Sequence, residues 1–247
     1  MVHRNAVIFA ALRLPLMVLL TAILLPISKA TAEKQDYVGM LIDPLALYGR
    51  EVAFDVFRNG KKAGSHHVQF HKNGPDLTVN SLFHLRIDFL FFTAFRYTYE
   101  SEDRWREHRL EGLSVFVDDN GARFTFDAHR DGESLRIDRN GEVQFADLPL
   151  YPTNHWNAGV IAQNRVLNTL TGRVNQVAIR SLGRELVETE SGPVTSTRYA
   201  YSGDLETEVW YDDFRRWVKL RFAGRDGSTI EYICRRCQGT PDPSMRQ

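Results

Sequence analysis

Cysteine is almost missing from this chain: there are two in 247 residues, Cys234 and Cys237. Two thiols exclude a disulfide-dense scaffold and are two ligands short of a closed zinc site. An excess of one charge is missing too, because 31 Lys and Arg balance 31 Asp and Glu. Surfaces that bind nucleic acid are strongly basic, so nucleic acid is not an expected partner. Gly-x-Ser-x-Gly, His-Glu-x-x-His and a glycine-rich phosphate loop are absent, so no catalytic residue, metal site or cofactor is assigned. No repeat with a period of ~20 to 50 residues stands out, which argues against a solenoid or propeller. Enzyme function is neither signalled nor closed off, because cross-strand acid and base pairs leave no mark in linear spacing.

A long apolar run is also lacking. The longest, Leu14 to Ile27, has 14 residues, against the ~20 that a membrane-spanning helix needs. Extending it back to Ala6 puts Arg13 near its middle, where a charge is costly. Preceded by Arg4 and Arg13 and followed by Ala30-Thr31-Ala32, it has the layout of a secretory signal peptide. Cleavage is expected after about Ala32, with the mature chain in the periplasm or secreted and without a stable transmembrane span. That chain has 28 basic and 31 acidic residues, a formal charge of −3. The expected organisation is residues 1–32 as leader, 33–49 as a connecting segment, 50–237 as a single antiparallel β-rich domain, and 238–247 as a tail.

What the chain does contain is strand and turn grammar. Asn-Gly occurs at 59–60, 73–74, 120–121 and 140–141, and Asp-Gly at 131–132 and 226–227. Such pairs between apolar alternations are the strongest short-range hairpin signal. Val52, Phe54 and Val56 share one parity. So do Leu77, Val79, Ser81, Phe83, Leu85 and Ile87, with Asn80, His84, Arg86 and Asp88 opposite. Period two with one wet face specifies an antiparallel sheet rather than helices. Later strands are expected at Val174–Ile179, Arg184–Glu190, Val194–Tyr201, Glu206–Tyr211, Val218–Phe222 and Ser228–Ile233. The expected fold is mainly β: a strongly curved antiparallel sheet or partly open β-barrel with one or two short helices packed on it. Thr153 or Asn154 is the expected cap of a helix carrying Trp156, Val160 and Ile161.

Three constellations invite a functional reading. Phe89, Phe91, Phe92, Phe95, Tyr97, Tyr99 and Trp105, joined by Trp156, are more aromatics than one strand usually buries on one side. They are either core or the lining of an apolar cavity, and they are the candidate ligand-binding residues. The stretch Trp210 to Cys237 holds six arginines and Lys219. Parity sends Val218, Leu220 and Phe222 one way and Trp217, Lys219 and Arg221 the other, with Glu231 opposite Lys219 or Arg221. This reads as a hairpin with a charged outer face, a basic patch for an acidic headgroup being the sharper alternative. Cys234-Arg-Arg-Cys237 ends a strand with no helix to follow, so a structural disulfide is expected ahead of reduced thiols or a redox pair. His67 and His71 share a face but stand four residues, or ~13 Å, apart along a strand, too far for one metal. Solvated or core-edge histidines are the expectation.

Phe54-Asp-Val-Phe-Arg-Asn-Gly-Lys-Lys-Ala-Gly-Ser-His66 resembles the opening of an uncharacterised secreted bacterial family, domain of unknown function 6134 (DUF6134). So do Glu208-Val-Trp-Tyr-Asp212, Trp217 to Phe222 and Asp226 to Tyr232, in that order, and Trp156-Asn157 resembles its central element. The resemblance covers about Glu51 to Tyr232 and implies a fold and a compartment, without an activity. A more distant similarity is to periplasmic lipoprotein carriers, whose curved sheet wraps around a helix. This similarity implies an apolar or amphiphilic small molecule as partner and a non-catalytic binding domain; the alternatives are an interaction or envelope-structural module with an envelope protein as partner, and, less favoured, a hydrolase or other enzyme whose site is not evident in the sequence.

Overall fold

The computed structural model describes residues 43–89 and 92–239. The expected leader, most of the connecting segment, Phe91 and the end of the tail lie outside the described residues. The chain opens with a short helix α1 (Pro44–Tyr48), capped by Asp43, whose carboxylate accepts from Leu45 N at 3.0 Å. Gly49 ends it with φ 74°, a conformation glycine adopts without steric cost.

Strands then follow as β1 (Glu51–Arg58), β2 (Lys61–Asn73), β3 (Asp76–Phe89), β4 (Phe92–Arg106) and β5 (Arg109–Asp119). They continue as β6 (Ala122–Asp131), β7 (Ser134–Arg139), β8 (Glu142–Asp147) and β9 (Tyr151–Pro152). A 3-10 helix (Ala158–Ala162) leads to β10 (Arg165–Asn168), β11 (Arg173–Val187), β12 (Val194–Gly203), β13 (Thr207–Asp212), β14 (Trp217–Ala223) and β15 (Thr229–Arg236). All belong to one 15-stranded sheet in the order β8-β7-β6-β5-β4-β3-β2-β1-β15-β14-β13-β12-β11-β10-β9. Among the described residues, only β9 and β10 pair in parallel.

The expectation of a mainly β, antiparallel structure therefore holds, but its shape is corrected. The end strands β8 and β9 do not pair with one another, so the sheet is open, neither closed into a barrel nor strongly curled. A run of hairpins specifies neighbours, and hairpin grammar contains nothing about closure, which depends on stagger and tilt summed over every strand. Two wings, β1 to β8 and β9 to β15, meet at the β1–β15 pairing.

Local chemistry accounts for most joints. Asn59-Gly60, Asn120-Gly121 and Asn140-Gly141 all have positive φ at both residues, as two-residue hairpin turns require. Glu107-His108 does the same without either favoured residue, with φ 48° and 65°. The two strands expected at Val174–Ile179 and Arg184–Glu190 are one strand, β11, whose ladder shifts register between Ser181 and Arg184. A one-residue bulge at that point keeps pairing going while it bends the strand.

One face of the sheet is sealed. Phe54, Val68, Val79, Leu113, Ile137 and Val209 are fully buried on it. The segment from Leu148 to Asn164, which links the β8 edge to β10, runs across this inner face. Tyr48 Oη donates to Trp156 O at 2.9 Å, Tyr211 Oη donates to His155 O at 2.8 Å, and Tyr99 Oη donates to Asn154 Oδ1 at 3.0 Å. The segment is thus tied to α1, to β4 in one wing and to β13 in the other. Its 3-10 helix is capped by Asn157 rather than by Thr153 or Asn154, because the Asn154 side chain is used on β4.

Candidate functional site

The expected aromatic site divides once the strands are placed. Phe89 and Phe92 face each other at the end of the β3–β4 ladder; their side chains, like Phe91, lie outside the described residues. Tyr99, Trp105 and Trp156 are buried, with Trp105 and Trp156 edge to face at 5.4 Å. Phe95 and Tyr97 are half-buried against the same core, Tyr97 meeting Phe83 edge to face at 5.8 Å. Trp156 also meets Phe70 at 5.6 Å. These rings pack on one another and on the crossing segment.

Within this core lies a polar seam that the aromatic pattern conceals. On β4 the alternation Tyr99, Ser101, Asp103, Trp105 turns a carboxylate inward. Asn154 Nδ2 donates to Asp103 Oδ2 at 2.6 Å, and Ser101 Oγ donates to Oδ1 at 3.3 Å. Burial pushes the Asp103 carboxyl up to about 7 against the pull of these bonds. His66, inward on β2 beside Val68 and Phe70, sits among Phe54, Phe83, Trp217 and Tyr232, with ring centroids 5.4 to 6.4 Å away. His155 stands 5.8 Å from Trp217 and 5.7 Å from Tyr201. Burial holds both imidazoles down at about 3, so both are neutral. His155 also has φ 58°, an uncommon backbone state for a buried side chain. These two histidines are core residues, contrary to the expectation of solvated or core-edge ones. Parity with Val68 and Phe70 was the signal for His66. For Asp103 it was a carboxylate on the aromatic face of its strand.

The opposite face is grooved. Pairing aligns His67, Leu82, Glu100, Phe116 and Thr125 in one row across β2 to β6, and Gln69, Asn80, Glu102, Ser114 and Asp127 in the next. Together they line an open groove of about 880 Å³. Leu82, 36% exposed, and half-buried Phe116 supply its apolar floor. His67 is shared with an adjoining notch of about 490 Å³, lined by Asp55, Lys62, Gly64, Ser65, Arg86, Asp88 and Arg235 among others. The notch forms where the β1–β2 ladder shifts register between Val56 and Phe57. A side chain at Gly64 would overlap the His84 carbonyl, so glycine is required at this close strand approach.

Farther along this outer face, the central cations of the basic hairpin are paired. Glu208 binds both Arg198 and Arg221, and Lys219 reaches Glu231 at 2.7 Å. Trp210 lies beneath those three cations and donates to Glu185 at 2.6 Å. Trp217 departs from its expected outward parity. The β13–β14 register shifts between Trp210 and Tyr211, leaving Val218 as the extra residue and turning Trp217 inward onto Phe54 at 4.2 Å. Cys234 and Cys237 are joined as a disulfide with Cα atoms 5.8 Å apart, both buried. Among the described residues, no helix is long and apolar enough to cross a membrane.

Comparison with known proteins shows a shared β-rich fold and adds no chemistry. No curated protein matches the chain. A solved structure, the "Beta-barrel-like Protein of Domain of Unknown Function DUF1849 from Brucella abortus", is similar in fold with a TM-score of 0.54 and 11% identity. The alignment covers 77% of this chain and 97% of that one. The family model described as "Domain of unknown function (DUF6134)" matches residues 54–235, from β1 to β15. The chain belongs to the DUF6134 family.

Proposed function

We propose that the protein is a non-catalytic binding domain of the periplasm or extracellular space that holds an apolar or amphiphilic molecule on the outer face of β2 to β6. The groove floored by Leu82 and Phe116 carries this reading. Its volume falls in the range of ~300 to 1,000 Å³ typical of small-molecule sites, and it combines an apolar floor with a polar rim. Tyr99, Trp105 and Trp156 are buried on the opposite, inner face. The test is native mass spectrometry of gently purified protein, in which a co-purified lipid or other amphiphile is expected. Leu82→Asp with Phe116→Asp should abolish its retention. A folded protein that is repeatedly empty, or a bound molecule insensitive to that double variant, overturns the proposal.

A second reading, an envelope interaction module, is favoured by a different place. Leu186 and Phe214 are each 69% exposed and Leu182 47%, around an Arg184–Asp213 ion pair of 2.8 Å that links β11 to the β13–β14 turn. If this tip is the functional surface, Leu186→Asp with Phe214→Asp should remove a crosslinked envelope partner. The groove variant should leave that crosslink intact.

A further inference from the structure

Resting on the groove reading above, we infer that notch and groove are one site, and that its ligand is an amphiphile with an anionic head held by Arg235, Lys62 and Arg86. The two depressions are continuous through His67, which lines both. On β3 the apolar floor at Leu82 and the basic rim at Arg86 are four residues apart, ~13 Å at strand rise. A head in the notch therefore leaves an attached chain lying along Leu82 toward Phe116.

Charge decides which head fits. Lys62 and Arg86 each have a carboxylate at 2.8 Å, Asp55 and Asp88 respectively. Arg235 is different. Its carboxylate neighbours Asp55 and Glu190 stand at 3.6 and 3.8 Å, beyond hydrogen-bond distance, so its guanidinium donors are the least committed of the three. A planar donor fork of this kind suits a carboxylate or phosphate, and the lining Ser65 adds a hydroxyl. At the far end the sign reverses. Glu100, Glu102 and Asp127 rim the groove beyond Leu82, where an anionic head is repelled. The two ends thus set a single direction of entry: head at the notch, chain along the floor. Discrimination of this kind comes from the repulsive end as much as from the attractive one.

The experiment is a binding titration of the folded protein, below micelle-forming concentrations, with four twelve-carbon probes: dodecanoate, dodecyl phosphate, dodecyl maltoside and dodecyltrimethylammonium. The anionic probes are expected to bind at least about tenfold more tightly than the neutral one, with an advantage that shrinks as salt is raised. Whichever of carboxylate and phosphate binds better identifies the head. Arg235→Gln should cost the anionic probes severalfold, and Lys62→Glu with Arg235→Glu tenfold or more, while dodecyl maltoside is unaffected. Leu82→Asp should weaken the neutral probe by removing the apolar floor and the anionic probes further through its added carboxylate, and circular dichroism checks that each variant remains folded. Equal binding of anionic and neutral probes, unmoved by the charge reversals but lost in Leu82→Asp, overturns the anionic-head inference and leaves the groove reading standing. Absence of any Leu82-dependent binding overturns both.

Discussion

The two faces of this sheet are built from the same alternating strands and have opposite characters. On the inner face, rings fill the space between sheet and crossing segment. Trp156 touches Phe70 and Trp105, and Trp217 touches Phe54 and Tyr232. On the outer face, side chains of unequal length leave a groove, and most of the charges are paired with neighbours. The contrast teaches that aromatic density marks where the molecule is held together. The surface dips instead where small and polar residues, such as Ser114 and Asn80, stand beside Leu82 and Phe116.

The comparison is broken most severely by emptying the inner face. Trp156→Ala should cost about 3 to 5 kcal/mol by lost burial and the cavity left behind. A denaturation midpoint close to the parent protein's would show that the crossing segment is not integral to the core. Acid should act next. The folded-state values of His66 and His155 lie at about 3, below the ordinary histidine value of 6.5. The stability these neutral side chains contribute is therefore fully present above about pH 6.5 and lost as pH falls toward 3. Urea titrations from pH 7 to pH 4 should show a loss of a few kcal/mol, on the order of that expected for two buried groups. Replacing His66 by Phe should reduce the acid sensitivity.

Asp103 has the opposite sign. Its folded-state value of about 7 lies above the ordinary 3.8, so its favourable contribution belongs to low pH and is lost as pH rises through 7. Asp103→Asn keeps an acceptor for Asn154 and removes the ionisation. It should raise the melting temperature by more at pH 8 than at pH 5. Tyr211→Phe removes the bond to His155 O and should cost about 1 kcal/mol, since the carbonyl loses its donor. On the outer face, Glu208→Gln should change stability by no more than about 1 kcal/mol, despite its two arginine partners, because the pairs are partly exposed. If that variant proves as damaging as Trp156→Ala, the division of labour between the faces is wrong.

Much of this was legible in the chain. Phe54, Phe83 and Leu220 are buried as their parity requires, and the Asn-Gly turns at 59–60, 120–121 and 140–141 fall between paired strands. Bulges were the main loss. One extra residue at Val218 reverses Trp217, and another in β11 joins what reads as two strands. A bulge depends on what the neighbouring strand does, so linear spacing carries little trace of it. Closure leaves no local trace for a related reason, since it is a sum over all ladders. The groove was illegible because its rows exist only across strands: Leu82, Glu100 and Phe116 are far apart in sequence and adjacent in the sheet. The Glu107-His108 turn lacked its usual residues.

The adjacency of β1 and β15 has a consequence for truncation. β1 and β15 stand at the middle of the sheet, so removing β15 would take out a central plank and leave two wings with open edges, where the loss of an outer strand would merely trim a border.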